Sequence, residues 1–237
     1  MVRIDIAVAK THKYASRESG DTVETAERPT GGMSVVMVDG QGSGAAAKSL
    51  SMLVSSKALS LLKEGIRDGA VARGTHDFLL AFRHGKVSAT LDVVSVDLGT
   101  SEIIVTRNNP IPYVVGMGDE YTLCTSVAGP IGVHRHTRPV VDSYPVEAGR
   151  CVVVFSDGIA GAGKRGGSVF DPVGYLRQHS RVSTTAQEIA DGMLMAAIEA
   201  DNDRPADDMS VVVLSLVETD GPPEPIRRMW VSIPVAD

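Results

Sequence analysis

Aspartates recur at the ends of apolar runs in this chain of 237 residues. S-V-V-M-V-D-G ends at Asp39 and Gly40, and C-V-V-V-F-S-D-G ends at Asp157 and Gly158. R-P-A-D-D-M-S-V-V-V-L sets Asp207 and Asp208 just ahead of a third run, and S-G-D places Asp21 18 residues before Asp39. A carboxylate at the end of a buried strand is held rigidly, and several gathered together repel one another unless a cation lies between them. Hard oxygen donors select Mg²⁺ or Mn²⁺ over softer metals. A glycine after the acid lets the backbone approach such an ion or its waters. Asp-Gly is also a common turn pair, and Asp68-Gly69 and Asp191-Gly192 repeat it here. The metal reading therefore rests on the ensemble, in which each motif abuts a wholly apolar run.

The elements that must position these residues are legible in outline. Residues 34–38, 87–98, 102–106, 113–115, 151–155 and 210–216 read as strands. The first and the last two are apolar throughout their centres, as expected of strands covered on both faces. N-N-P-I-P between 102–106 and 111–117 reads as a turn joining antiparallel neighbours, and D-L-G-T-S marks another hairpin. Apolar residues at helical spacing predict a helix over 45–66 with Leu50, Leu53, Val54, Ala58, Leu61 and Leu62 on its buried face. A second helix over about 75–83 is expected to bury Phe78, Leu79 and Phe82. A third, over 185–200, opens with Thr185 and Glu188 at capping-box spacing. Strands in a meander with helices before and after them give an α+β class, two-layer or sandwich-like, rather than alternating βαβ units. Residues 1–220 are expected to form one domain. Residues 221–237 are expected to be a C-terminal extension carrying an edge strand, where Pro234 is tolerable.

Composition narrows the functional classes. Lys+Arg number 23 and Asp+Glu 29, a net charge of −6, with Asp outnumbering Glu 18 to 11. An acidic chain lacking a basic run is a poor partner for nucleic acid or an anionic membrane surface. Two cysteines, Cys124 and Cys151, lie in apolar stretches without C-x-x-C spacing, which favours buried thiols over zinc or redox chemistry. The N-terminal residues carry Arg3, Asp5 and Lys10 and lack a signal-peptide core, and no apolar run reaches the roughly 20 residues of a membrane helix. The expectation is a soluble, cytoplasmic protein.

Two glycine loops invite a nucleotide-binding reading. V-D-G-Q-G-S-G follows a strand and opens a helix, but an Asp sits at the strand end and no second strand ends in an acid about 20 residues on, where the chain is still helical. G-I-A-G-A-G-K-R at 158–165 matches a phosphate loop except that Arg165 replaces the Ser or Thr that binds Mg²⁺. A basic loop beside an acidic metal site accounts for it better, either merely solvated, the commoner case, or with Lys164 or Arg165 meeting a phosphorylated substrate. His134 and His136 read as exposed, and Asp92 and Asp97 as structural.

The ordered set G-D, V-D-G-Q-G-S-G, A-T-L-D-V-V-S-V-D-L, V-V-V-F-S-D-G and D-D-M-S-V-V-V-L resembles the metal-dependent protein phosphatases (the PPM family) from about Gly20 to Leu216. More narrowly it resembles the bacterial SpoIIE-type serine phosphatases, and among them the stand-alone stress-response members. The resemblance implies an αββα sandwich of two mostly antiparallel sheets flanked by helices. It implies two Mn²⁺ or Mg²⁺ ions, bridged by Asp39, with the Gly40 carbonyl on one and Asp157 and Asp207 on the other. Asp21 would bind or orient the waters of the first, and Asp208 would stand behind the ligands. The implied reaction is hydrolysis of phosphoserine or phosphothreonine on a regulatory protein, such as an anti-sigma factor antagonist, by a water activated between two metals. Gln41 stands where eukaryotic members carry a histidine, and an amide is no general acid. Asn109 likewise occupies the histidine position of the family's A-G-H-x-P turn. Two alternatives stay open: a phosphoprotein-binding module that has lost turnover, and a nucleotide-binding protein using a glycine loop.

Overall fold

The structure is a computed structural model describing residues 1–180, 184–221 and 226–233. Among these residues ten strands form two five-stranded antiparallel sheets. One has the order β1 (Val2–Thr11), β10 (Met209–Glu218), β9 (Arg150–Phe155), β6 (Tyr113–Met117) and β7 (Glu120–Cys124). The other runs β2 (Asp21–Glu27), β3 (Gly32–Gly40), β4 (Ala89–Asp97), β5 (Glu102–Asn108) and β8 (Val140–Pro145). The helices α1 (Gly44–Lys63) and α2 (Asp68–Arg83) cover the β3 sheet. The helices α3 (Asp157–Gly161), α4 (Pro172–His179) and α5 (Ala186–Ala200) cover the β10 sheet. This is the expected α+β sandwich, with helices outside and two sheets inside.

The alternation of side chains explains why the central strands are apolar throughout. In β3, Val36 and Val38 pack beneath α1, while Val35 and Met37 face the opposite sheet. In β10, Val211 and Val213 pack against the α5 side, and Val212, Leu214 and Leu216 face inward. Each fully buried Val or Leu contributes roughly 1.5–3 kcal/mol, so a one-residue slip in register would forfeit two layers at once. α1 buries Ala47, Leu50, Val54, Ala58 and Leu62 at three- and four-residue spacing. The Thr185–Glu188 capping box is formed, the Thr185 N–H donating to Glu188 Oε2 at 2.8 Å.

Several expectations need correction. β5 and β6 are not a hairpin: β5 pairs with β4 and β8, while β6 pairs with β7 and β9 in the other sheet. N-N-P-I-P carries the chain across the sandwich, its prolines without N–H groups to extend a ladder. α2 starts at Asp68 and buries Val71, Ala72, Thr75, His76 and Leu79. Phe82 is therefore 56 % exposed, stacked on Phe78 along the outer face. Cys151 is buried but Cys124 only half-buried, and both are free thiols. Residues 226–233 of the extension are exposed and carry no strand; 222–225 and 234–237 lie outside the described residues. Among the described residues no helix is long and apolar enough to cross a membrane.

Candidate active site

The acidic motifs meet at one end of the sandwich, where strands from both sheets terminate. Asp21 opens β2 and pairs directly with Asp39 near the end of β3. Asp157 follows β9 and begins α3, and Asp207 and Asp208 precede β10, the neighbour of β9. Asp21, Asp39, Gly40, Gln41, Gly42, Asp157, Asp207 and Asp208 line one open cleft of about 270 Å³. Residues up to 187 positions apart are thus brought together by antiparallel pairing and the apposition of two sheets.

Local packing fixes the rim. A side chain on Gly40 would place its Cβ 2.3 Å from the Ala47 carbonyl oxygen in α1, and one on Gly158 would lie 2.1 Å from the Asp208 carbonyl oxygen. Both positions therefore demand glycine, and the Asp-Gly pairs here serve close approach rather than a reverse turn. Asp208 is buried and spends both oxygens on the backbone, accepting from Lys13 N at 2.9 Å and Gly20 N at 2.7 Å. It ties the loop before Asp21 to the start of β10. The Asp208 N–H in turn donates to Asp207 Oδ1 at 2.9 Å.

Asp21 is buried and accepts from Ser210 Oγ at 2.6 Å, while its carbonyl oxygen accepts from Lys10 Nζ and Lys48 Nζ at 2.8 and 2.9 Å. Burial, opposed by the Ser210 hydrogen bond and reinforced by Asp208, pushes its carboxyl up to about 7. Burial and then the charges of Asp21, Asp157, Asp207 and Asp208 push Asp39 up to about 8. Asp157 is raised by burial and by Asp207, against the Gly158 N–H and Lys164. Carboxyls that resist ionising because they are withdrawn from water and face other carboxylates are suited to a cation. The donors are all oxygen, which fits Mg²⁺ or Mn²⁺. Among the described residues no group of three or more His, Cys, Asp or Glu is placed to hold a metal ion by itself. An ion bound by these carboxylates would need water to complete its shell, as Mg²⁺ usually does.

The remaining expected residues fall outside this cleft or beside it. Lys164 and Arg165 lie on an exposed 3₁₀ turn, Lys164–Gly166, after α3. The next helix beyond that glycine loop and its 3₁₀ turn, α4, begins only at Pro172, whereas a phosphate loop leads straight into one. Gln41 lines the cleft and is held there by Ser88, its Oε1 accepting from the Ser88 N–H at 2.9 Å and Oγ at 3.3 Å. Asn109 is buried, donating to Asp92 Oδ2 at 2.6 Å and accepting from Ile111 N at 2.9 Å, so its role is to hold the crossing between sheets. His134 and His136 are exposed. Sequence reasoning missed Ser210, Lys10 and Lys48. Ser210 had a signal: it shares a strand face with Asp208 and is polar inside an otherwise apolar run.

Comparison with known proteins follows the same outline. The family model described as Stage II sporulation protein E (SpoIIE) matches residues 29–217, well over half of the chain. The chain belongs to the SpoIIE family. A structure of the PP2C phosphatase domain and a regulatory-domain fragment of SpoIIE from Bacillus subtilis superposes with a TM-score of 0.76 at 23% identity. That match covers 91% of this chain and 64% of the other, so the chain spans less than two thirds of that relative. The phosphatase domain of the same protein in a crystal form without domain swapping gives 0.68 at 25% identity, covering 99% and 98%. The catalytic domain of the serine/threonine protein phosphatase PstP, in complex with two manganese ions, gives 0.68 at 17% identity, covering 92% and 100%. No match is found among curated proteins. By family and fold this chain matches the SpoIIE phosphatase domain.

Proposed function

We propose that this SpoIIE-family chain hydrolyses phosphoserine or phosphothreonine on a regulatory protein, using two Mn²⁺ or Mg²⁺ ions held in the acidic cleft. The observation that carries the reading is the convergence of Asp21, Asp39, Asp157, Asp207 and Asp208 on one cleft. The manganese ions of the PstP relative support the metal, and the role of the SpoIIE relative as a cell fate determinant supports a regulatory phosphoprotein, such as an anti-sigma factor antagonist. A cytoplasmic setting accords with both.

Asp39 and the Gly40 carbonyl would hold one ion, and Asp39, Asp157 and Asp207 the other. Two such ions supply charge for the phosphoryl oxygens and a water acidic enough to attack. The protein's own part is positional. Antiparallel pairing fixes Asp21 against Asp39. Ser210 holds the Asp21 carboxylate in one orientation, and Asp208 holds the approach to it. Gln41 is held by Ser88 and, as an amide, is no general acid, so the proton for the leaving alkoxide would come from water or from another residue. Lys164, whose charge reaches Asp157, and Arg165 would meet the phosphorylated segment from the exposed turn.

The test is hydrolysis of p-nitrophenyl phosphate and of a phosphoserine peptide with Mn²⁺ and with EDTA, alongside calorimetric titration of Mn²⁺. Metal-dependent turnover of both is expected. Mn²⁺ binding without turnover would favour the phosphoprotein-binding module, and absence of both would defeat the reading.

A further inference from the structure

We propose that the exposed basic surface beside the cleft, built from the loop after α2 and the loop before β8, docks an acidic segment of the phosphoprotein substrate. The proposal rests on the phosphatase reading above and specifies its substrate.

The charge distribution is the first observation. The chain carries a net charge of −6, yet residues 78–91 and 121–141 contain no carboxylate. Those two stretches hold Arg83, Lys86, His134, Arg135, His136 and Arg138, all exposed. Among the described residues none of these arginines or the lysine is in an ion pair. Arg83 lies over the Phe82 ring at 5.3 Å and keeps its charge at the surface.

The second observation is that these loops are built rather than loose. A Cβ on Gly85 would lie 3.5 Å from the Val133 carbonyl oxygen, so the loops touch. Ala89 and Ile131 form an isolated bridge, and the Gly132 N–H donates to the buried His76 Nδ1 at 3.2 Å. Asn108, buried at the end of β5, donates to the Gly129 carbonyl oxygen at 3.0 Å and Thr137 Oγ1 at 2.6 Å. Residues 125–139 form no regular strand or helix, yet buried polar groups hold them. A loop of this length inside a compact domain is more often functional than idle.

The third observation is position. Ser88, at the end of the first loop, holds both the Gln41 N–H and the Gln41 side chain, and Gln41 lines the cleft. The basic surface therefore begins where the cleft ends. Exposed charges steer a partner only over about a Debye length, roughly 8 Å at physiological ionic strength, so adjacency is required. An acidic protein otherwise repels an acidic phosphoprotein, and a local cationic surface beside the reacting centre corrects this for the productive orientation only.

The test compares wild type with the triple variant Lys86→Glu, Arg135→Glu, Arg138→Glu, none of which lines the cleft. Three substrates are used with Mn²⁺: p-nitrophenyl phosphate, a phosphoserine peptide flanked by aspartates, and the same peptide flanked by asparagines. The expected result is a kcat/KM for the acidic peptide that falls about tenfold in the variant at low salt, with the other two substrates unchanged. The wild-type preference for the acidic peptide should also shrink as salt rises. Equal losses on all three substrates, or no wild-type preference, would overturn the proposal. Fluorescence anisotropy with the unphosphorylated acidic peptide is a separate arm that needs no turnover. If wild type fails to hydrolyse p-nitrophenyl phosphate, the phosphatase reading falls, and binding that the variant loses still supports the surface. Polyuridylate or anionic vesicles bound more tightly than the acidic peptide would instead assign it to nucleic acid or membrane.

Discussion

The two ends of the β2–β3–β4 ladder treat buried carboxylates in opposite ways. At the end away from the cleft, Arg28 reaches Asp68 at 3.1 Å and Asp97 at 3.7 Å, and Ser34 and Ser95 complete the cluster. Further in, Arg107 and Asn109 both bond the fully buried Asp92. At the cleft end, Asp21 and Asp39 stand side by side and face Asp157, Asp207 and Asp208, and among the described residues no arginine pairs with them. Asp68, Asp92 and Asp97 each have a guanidinium, whereas the cleft acids have only the nearby charge of Lys10 and Lys164. The contrast separates acids that fold the chain from acids whose countercharge must come from outside.

The largest break in this comparison comes from neutralising one acid of each kind. Asp39→Asn is expected to cost several kcal/mol of transition-state charge stabilisation, or about 10³-fold in kcat/KM at 1.36 kcal/mol per decade, measured with p-nitrophenyl phosphate and Mn²⁺. The same substitution should raise the melting temperature in EDTA, because it removes a repelled carboxylate. Asp92→Ala should do the reverse, leaving the buried Arg107 uncompensated at a cost of about 3–5 kcal/mol. At about 2–4 °C per kcal/mol for a chain this size, its melting temperature should drop by roughly 6–20 °C whether or not metal is present. Equal losses of stability from both substitutions would erase the distinction.

That distinction was only partly visible in the sequence. Strands apolar on both faces announced themselves in V-V-M-V, V-V-V-F and V-V-V-L, because double burial leaves no alternation. The aspartates that cap them were legible for the same reason, as abrupt ends to unbroken apolar runs. β1, β2, β7 and β8 were missed because their outer faces carry Arg, Asp, Glu and Thr, which blur a strand into a loop. The crossing at N-N-P-I-P was misread because local turn chemistry says where a chain bends but not which sheet receives it. Asp92 and Asp97 read as structural, but their partners Arg107 and Arg28 are set by register across strands, which spacing along one strand does not reveal.

The pH dependence of the metal-free protein sharpens the comparison next. Asp21 and Asp39 are raised from 3.8 to about 7 and about 8 in the folded chain. Between those values and the unfolded range the native state binds more protons than the unfolded one, so stability falls as pH rises. In EDTA the melting temperature should decline by several degrees from pH 5 to pH 8. Millimolar Mn²⁺ should abolish or invert that slope, since it binds the ionised carboxylates of the native state only. A flat profile in EDTA would mean that the cleft does not hold its acids in repulsion.

The smallest expected effect isolates the orientation of one acid from its charge. Ser210→Ala removes the hydrogen bond to Asp21 Oδ2 and leaves the apolar strand intact. Because that bond favours the ionised form, its loss should raise the Asp21 pKa further. Loss of such a supporting contact typically costs about 10–100-fold in metal affinity. The concentration of Mn²⁺ needed for half-maximal turnover should therefore rise by about tenfold, with kcat at saturating Mn²⁺ close to wild type. Ser34→Ala, a serine of the Arg28 cluster at the other end of the ladder, should leave the Mn²⁺ requirement unchanged while lowering the melting temperature slightly. If both serines shifted stability alone, Asp21 would belong with the acids that fold the chain.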